Sequence, residues 1–382
     1  MRIGIFTDSY RPYTSGVVNS IDTFSRQLRK KGHETFIFSP SYPNSEKEEN
    51  VFRFVSIPSP THKDFTLAIP LSFHISATIK QIRLDLIHVH SPFLMGYLGS
   101  RCAKRHQLPL VFTYHTLYDQ YTHYMPFLRN TSKQFIKNLG VDFANKCDLV
   151  ITPTGVVKDY LVGSGVKVPV TSIPTGLDME EFETYDQEWM RKKFRIPRDH
   201  SVLLFVGRLG KEKNVEFLLR CFNRVLRTDS RVTLVLVGSG PEEQSLRALL
   251  KEMGISSRVV FTGLQAKKNV INCYAGSDIF VFPSVTETQG IVFLEAKALG
   301  LPAVAVSAFG AKEMIKHGED GFLSSHDEDD YTKYLLDLVQ NHSLRQEMSQ
   351  KARERARFFS SAYTTDRLIH EYRNLLKARI HA

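Results

Sequence analysis

Val202-Leu203-Leu204-Phe205-Val206-Gly207-Arg208-Leu209-Gly210-Lys211-Glu212-Lys213-Asn214 lies just past the middle of a 382-residue chain. Five apolar residues, a glycine-bearing turn and the apolar-periodic run 214–227 read as strand, loop and helix. An apolar run without polar alternation suits a parallel strand covered on both faces, and parallel neighbours need helical crossovers. Before it come Pro174-Thr175-Gly176-Leu177-Asp178, an acidic stretch at 179–188 and a basic one at 191–197. The strand therefore opens a second sheet.

Working outward, strand-like runs fall at 3–6, 35–38, 86–90, 110–114 and 149–152, then at 233–237, 259–261, 279–282 and 303–306. Helical periodicity falls between them, at 18–30, 242–253, 291–298 and 344–358. Alternation this regular predicts an α/β protein with two Rossmann-like, doubly wound parallel-sheet domains. The expected division is 1–172, a linker at 173–200, 201–358, and a last segment at 359–382 with a helical pattern over 363–379. One continuous β/α barrel leaves the break in mid-chain unexplained.

Apolar residues make up 42% and charged residues 24%, which excludes wholesale disorder. Cys102, Cys147, Cys221 and Cys273 have neither metal-ligand nor CxxC spacing, so reduced thiols in a cytoplasmic protein are expected. The first residues, Met1-Arg2-Ile3-Gly4-Ile5-Phe6-Thr7-Asp8, read as a buried strand and not as a signal peptide. No run approaches the roughly 20 apolar residues of a membrane-spanning helix. Fifty Lys+Arg against forty Asp+Glu give +10, and residues 1–150 carry 18 basic and 11 acidic side chains, a net +7. An acidic partner is implied: nucleic acid, anionic lipid or a phosphorylated substrate.

Chemistry concentrates in the second half. Pro283-Ser284-Val285-Thr286-Glu287-Thr288-Gln289-Gly290-Ile291-Val292-Phe293-Leu294-Glu295-Ala296 follows one strand and opens a helix, a ready anion site. Glu295 lies about one turn inside, amid apolar neighbours, where a carboxylate can accept two hydroxyl hydrogen bonds. In the opening stretch, Arg208 offers a planar fork and Lys213 a point charge, a pairing suited to diphosphate. Taken alone, that loop reads more readily as an ordinary basic surface loop. Val237-Gly238-Ser239-Gly240-Pro241 lacks the last glycine of GxGxxG, so no dinucleotide fingerprint is present.

The ordered set VGR-x4-K, VGSGP, FTGL, FVFPS and E-x7-E (Glu287 to Glu295) resembles the family 4 glycosyltransferases, retaining enzymes of the GT-B fold. Thr14-Ser15-Gly16-Val17-Val18, Asp85-Leu86-Ile87-His88-Val89-His90 and the 174–178 stretch match as well, so the likeness spans nearly the whole chain. Ala308-Phe309-Gly310-Ala311 departs from it, since many relatives carry Gly-Gly there. The resemblance implies two domains facing a central cleft, with the last helix packing back on the first domain. It implies that Glu295 holds the nucleotide ribose, and that Arg208 and Lys213 hold the diphosphate. Gly16 would admit the phosphates to backbone N–H from the opposite domain. Glu287, with Thr288, Gln289 and Gly290, would hold the donor sugar, and His115 would lie near it. Attack on the sugar would retain configuration, the leaving phosphate taking the proton. No cofactor or metal is expected: Asp327-Glu328-Asp329-Asp330 contains a DxD, but it reads as the acidic start of a helix.

The acceptor is read from the first half. Residues 114–127 are crowded with aromatics, and Phe135, Ile136, Leu139 and Phe143 form one helical stripe flanked by Arg129, Lys133 and Lys137. Residues 58–83 mix apolar and basic side chains similarly. Core-facing segments with snorkelling lysines would look alike. The strings TYHTLYDQYTHY (113–124) and TETQG (286–290) resemble the diacylglycerol glucosyltransferases within the family. That likeness implies UDP-glucose as donor, diacylglycerol as acceptor, and a peripheral enzyme drawn to an anionic membrane surface on the cytoplasmic face. Asp8, ending the first strand, is a candidate to meet the acceptor hydroxyl, or a turn former. The rivals are a phosphatidylinositol-type mannosyltransferase, a soluble-acceptor glycosyltransferase and a sugar-nucleotide epimerase. No recognition-helix, RRM or OB signature supports nucleic acid.

Overall fold

The computed structural model describes residues 1–43, 45–59, 65–69, 75–115 and 133–380. It divides into two compact units: Met1–Gly176 together with the chain from Ser361, and Leu177–Ser360.

The first unit runs β1 (Arg2–Phe6), α1 (Gly16–Lys30), β2 (Glu34–Pro40), β3 (Val51–Phe54), β4 (Ser56–Pro58), β5 (Thr66–Ala68) and α2 (Ile75–Ile82). It continues with β6 (Leu86–Val89), α3 (Leu94–His106), β7 (Leu110–Thr113), α4 (Lys133–Ala144), β8 (Leu149–Thr152), α5 (Gly155–Gly163) and β9 (Val170–Ser172). Its main sheet is parallel, in the order β3-β2-β1-β6-β7-β8-β9. β4 and β5 form a separate antiparallel pair.

The second unit runs α6 (Trp189–Phe194), β10 (Ser201–Val206), α7 (Val215–Thr228), β11 (Val232–Val237), α8 (Glu243–Glu252), β12 (Val259–Gly263), α9 (Lys267–Ala275) and β13 (Ile279–Phe282). It closes with α10 (Ile291–Ala298), β14 (Ala303–Val306), α11 (Phe309–Met314), β15 (Gly321–Ser324), α12 (Glu328–Gln340) and α13 (His342–Ala356). Its sheet is also parallel, in the order β12-β11-β10-β13-β14-β15. The final helix, α14 (Ser361–Ile380), belongs to the first unit, where Leu368, Ile369 and Tyr372 join the core of Ile3, Ile5, Ile21 and Leu86.

The central strands are buried along their whole length, as their uniform apolar runs require. The strands without such a run, β3 and β9 in one sheet and β15 in the other, all lie at edges, where covering on fewer sides needs fewer apolar residues; β12, the remaining edge, keeps one. The linker expected at 173–200 is not a free connection. Ile173 is buried in the first core, and Leu177, Phe182, Met190 and Ile196 are buried in the second. Charge in that stretch masked an apolar anchor every few residues.

The apolar stripe on α4 also divides. Ile136 and Phe143 are buried, and Phe143 meets Phe112 and Tyr97 edge-on, while Phe135 is 56% exposed. Two of the four stripe residues therefore serve the protein core and cannot serve a bilayer. Arg129, the side chain of Lys133 and most of 114–127 lie outside the described residues.

Candidate active site

Both sheets reverse direction of strand order next to their first strand, between β1 and β6 and between β10 and β13. In an open parallel sheet, ligands settle beyond the carboxyl ends of the strands at such a reversal. Most of the residues singled out from sequence lie there. Asp8 follows β1, Arg208 and Lys213 follow β10, and residues 287–290 follow β13; His115 follows β7, one strand further out, and Gly16 opens α1.

In the second unit the loops interlock through their backbones. Leu209 N donates to Ser239 O at 3.0 Å, and Glu242 N donates to Leu209 O at 3.0 Å. A Cβ on Gly240 would fall 2.3 Å from Leu209 O, so only glycine lets the loop after β11 lie flat on the loop after β10. The VGSGP turn thus has a packing role that its incomplete fingerprint did not suggest. Ser284 Oγ donates to Glu212 O at 2.9 Å, and Gly310 N donates to Glu287 O at 2.9 Å. Four loops are braced as one surface.

On that surface the Lys213 ammonium donates to Glu287 Oε2 at 2.6 Å, with both side chains mostly buried. Sequence reasoning gave these two residues to different parts of a donor, and the structure makes them partners. Gly290 has φ +72 and precedes α10 directly; a Cβ there would lie 2.6 Å from Phe293 Cδ2 and 3.0 Å from Glu287 Cγ. Thr288 and Gln289 are buried, and Arg208 is partly exposed. The start of α10 and the residues Arg208 and Lys213 lie on these braced loops, a composition suited to an anion.

Glu295 sits one turn into α10 and accepts a hydrogen bond from Tyr274 Oη at 2.9 Å. Burial raises its pKa, opposed by the Tyr274 bond and by the Lys267 ammonium, which is itself ion-paired with Glu181. Tyr274, on α9, was not legible in sequence, where it is one more aromatic in a helix. Two residues along α10, on its hidden side, Lys297 is fully buried against Asp320 in an ion pair that Arg355 also approaches. Burial pushes the Lys297 ammonium down to about 8.

Phe309, within the 308–311 stretch that departs from the family pattern, has φ +28, a region costly to a side chain. Asp327 caps α12, accepting from Asp329 N at 2.9 Å and Asp330 N at 3.0 Å, as a helix-start reading of the DxD expects. Among the described residues, no group of three or more His, Cys, Asp and Glu side chains is arranged to hold a metal ion.

In the first unit Asp8 accepts from Ser91 Oγ, and from Met95 N at 3.1 Å, at the start of α3. Burial raises its pKa, against these bonds. Its carboxylate ties the ends of β1 and β6 to a helix terminus, which is more than a local turn. Gly16 is the first residue of α1, behind the Ser15 cap, and a Cβ there would meet nothing within 4 Å.

His115 leads into a cluster that sequence reasoning did not assemble. His90 Nδ1 and His115 Nε2 are 2.7 Å apart, with stacked rings. His88, whose ring centroid is 4.2 Å from that of His90, bonds Tyr372 Oη through Nδ1 and Thr113 Oγ1 through Nε2, both at 2.6 Å. The signal was the spacing in His88-Val89-His90, since residues two apart on a strand share a face. Burial holds all three neutral: it lowers His88 and His115 to about 3 and His90 well below its ordinary value.

The family model described as Glycosyltransferase Family 4 matches residues 14–181, and that described as Glycosyl transferases group 1 matches residues 186–355. The chain is 35% identical over 312 residues to the alpha-monoglucosyldiacylglycerol synthase of Streptococcus pneumoniae, covering 80% of this chain and 71% of the relative. It is 29% identical over 367 residues to the enzyme of the same name from Acholeplasma laidlawii, covering 92% of each. GDP-mannose-dependent alpha-mannosyltransferases match at 27% and 28% identity. Among solved structures, Anabaena HepE in complex with UDP-glucose superposes with a TM-score of 0.78 at 19% identity, over 98% of this chain and 100% of that one. That likeness shows the fold, GT-B.

Proposed function

The chain belongs to the family 4 glycosyltransferases, enzymes that transfer a sugar from a nucleotide donor, and on that premise we propose that it transfers glucose from UDP-glucose to the free hydroxyl of 1,2-diacylglycerol with retained configuration. The braced surface at the ends of β10 and β13 carries the reading: Arg208, the Lys213–Glu287 pair and the start of α10 sit on one set of interlocked loops. That set fits a sugar diphosphate, with cations and helix N–H groups for the phosphates and a carboxylate for sugar hydroxyls.

Glu295, steadied by Tyr274, takes the two ribose hydroxyls. As the bond from the anomeric carbon to the diphosphate oxygen lengthens, negative charge grows on that oxygen, where the fixed cations stabilise it without reorganising. The acceptor oxygen bonds to the anomeric carbon on the same face, and its proton passes to the leaving diphosphate. His115 contributes as a neutral hydrogen-bonding group near the sugar. Asp8 contributes by shaping the end of β6, because its carboxylate is engaged with Ser91 and Met95.

The diacylglycerol acceptor is supported by the names of the relatives at 35% and 29% identity. The positive excess of residues 1–150 supports a partner surface of anionic lipid on the cytoplasmic face. Among the described residues, no helix is long and apolar enough to cross a membrane. A grid of UDP-glucose, UDP-galactose and GDP-mannose against diacylglycerol, phosphatidylinositol and water tests the whole reading. Glucosyl transfer to diacylglycerol alone is expected. Mannosyl transfer to phosphatidylinositol would favour the second reading, which the mannosyltransferase relatives support. Flotation with anionic liposomes at low salt tests the surface: a chain left in the soluble fraction counts against it.

A further inference from the structure

The β4–β5 ribbon has its faces reversed. An antiparallel pair with one face on a core ordinarily turns apolar side chains inward and polar ones to water. Ser56 pairs with Ala68 and Ile57 with Leu67, and Ile69 N donates to Val55 O at 2.8 Å. With side chains alternating along each strand, Val55, Ile57, Leu67 and Ile69 share one face, and Ser56, Thr66 and Ala68 the other. The small and polar face is the one turned in. Thr66 and Ala68 are buried, Thr66 Oγ1 donates to Ser41 O at 2.8 Å, and Ser56 Oγ accepts from Ser41 N at 3.0 Å, just past β2. The apolar face meets water: Val55 is 74% exposed, Ile57 51% and Ile69 37%. Single exposed aliphatic residues need no explanation, but three neighbours on one face of a ribbon mark a contact surface.

Charge identifies what that surface meets. The unit that carries the ribbon, Met1–Gly176 with Ser361–Ala382, holds 24 basic and 14 acidic side chains, a net +10, whereas residues 177–360 hold 26 of each. The whole positive excess of the chain therefore belongs to the ribbon's unit. A second copy would bring the same charge to the contact and be repelled, while a bilayer with anionic headgroups attracts it. We propose that the outward face of the β4–β5 ribbon is an apolar foothold on an anionic membrane. Val55, Ile57 and Ile69 enter the boundary between headgroups and acyl chains, and the excess charge of the unit holds it to the headgroups. This rests on the membrane reading of the first unit and names a surface that carries it. Valine and isoleucine suit the task, since their stiff side chains have few rotamers to lose on insertion. The hydrogen bonds to Ser41 keep the inner face seated, so insertion asks for no rearrangement of the core.

The test uses the full chain and vesicles of phosphatidylcholine with phosphatidylglycerol. Val55→Ser combined with Ile57→Ser removes apolar surface without changing charge, and should weaken vesicle binding at least about tenfold. Its thermal midpoint should stay at the wild-type value, because both side chains already face water. Phe358→Ser, which removes a residue 76% exposed in the other unit, should bind as wild type does. The native cysteines are buried, so Val55→Cys can be labelled selectively with an environment-sensitive fluorophore. That label should brighten and shift to the blue on these vesicles, and not on phosphatidylcholine alone. A double serine variant that binds like wild type overturns the ribbon's role and leaves the membrane reading standing, as does a label that stays dim on vesicles carrying the protein. A wild-type chain that binds no vesicle overturns both. Loss of self-association in the double variant, in place of vesicle binding, would assign the face to a second copy and overturn the proposal as well.

Discussion

The first unit holds its crevice loops chiefly with uncharged groups, three imidazoles, a phenol and two hydroxyls, beside one carboxylate that accepts from the start of α3. The second unit, with the same order in its first six strands, holds its loops with charge and bare backbone: Lys213 on Glu287, Lys297 on Asp320, and glycines that admit carbonyls at close range. Under the proposed function, one fold solves two chemical problems. A surface for a sugar diphosphate must keep cations fixed while empty, and paired carboxylates and buried ion pairs do that. A surface for hydroxyls must present donors and acceptors of known direction without net charge, and hydrogen-bonded neutral rings do that.

The comparison can be broken most severely at the buried ion pair. Asp320→Ala should cost about 3–5 kcal/mol in urea unfolding, because it strands the Lys297 ammonium inside the protein. Replacing both by leucine-sized apolar residues should recover most of that loss, and a single variant as stable as wild type would remove charge from the account of this unit. Next come the ligand contacts. Arg208→Ala and Glu295→Ala should each lower kcat/KM at least about 100-fold, roughly 3 kcal/mol, with the unfolding midpoint unchanged. Near-normal transfer by either would discard its role at the donor.

Acid sharpens the contrast. Burial lowers His88 to about 3, so its folded form resists a proton that the unfolded chain takes up near the ordinary value of 6.5. Stability from this group is therefore present at neutral pH and is lost as pH falls below about 6.5, by about 2 kcal/mol between pH 7 and 5. His90 and His115 act in the same direction. His88→Phe should flatten the profile measured by denaturant melts, and an unflattened profile would place the acid sensitivity elsewhere. The smallest effect concerns Gly16. With open space around its Cβ position, Gly16→Ala should change stability by no more than about 0.5 kcal/mol. If phosphates approach the backbone there, the donor KM nevertheless rises; an unchanged KM takes Gly16 out of the donor site.

Much of this was legible from residues alone. Uniform apolar runs located the central strands, and the restart at Val202 separated the sheets, because burial on both faces leaves a plain signature. The edge strands β3, β9 and β15 were not legible, since partial burial relaxes that signature. At the candidate site, motif spacing singled out Glu287, Gly290 and Glu295, whose positions along the chain are close. It could not find Tyr274 beside Glu295, or His90 beside His115, because those contacts join segments 21 and 25 residues apart through the fold. Nor could periodicity tell that Ile136 and Phe143 turn inward while Phe135 turns out, since a core stripe and an interfacial one repeat alike.

The return of α14 to the first unit bears on how the protein comes off the ribosome. Tyr372 supplies one of the two hydroxyls that hold His88, and Arg367 and Arg379 donate to Ser172 O and Gln107 O. The unit whose strands are synthesised first is thus the one finished last. Residues 177–360 contain every strand and helix of the second unit and can close on themselves while the first still lacks its final helix. In vectorial synthesis residues 177–360 can therefore fold before α14 emerges, and the Tyr372 hydroxyl reaches His88 only afterwards.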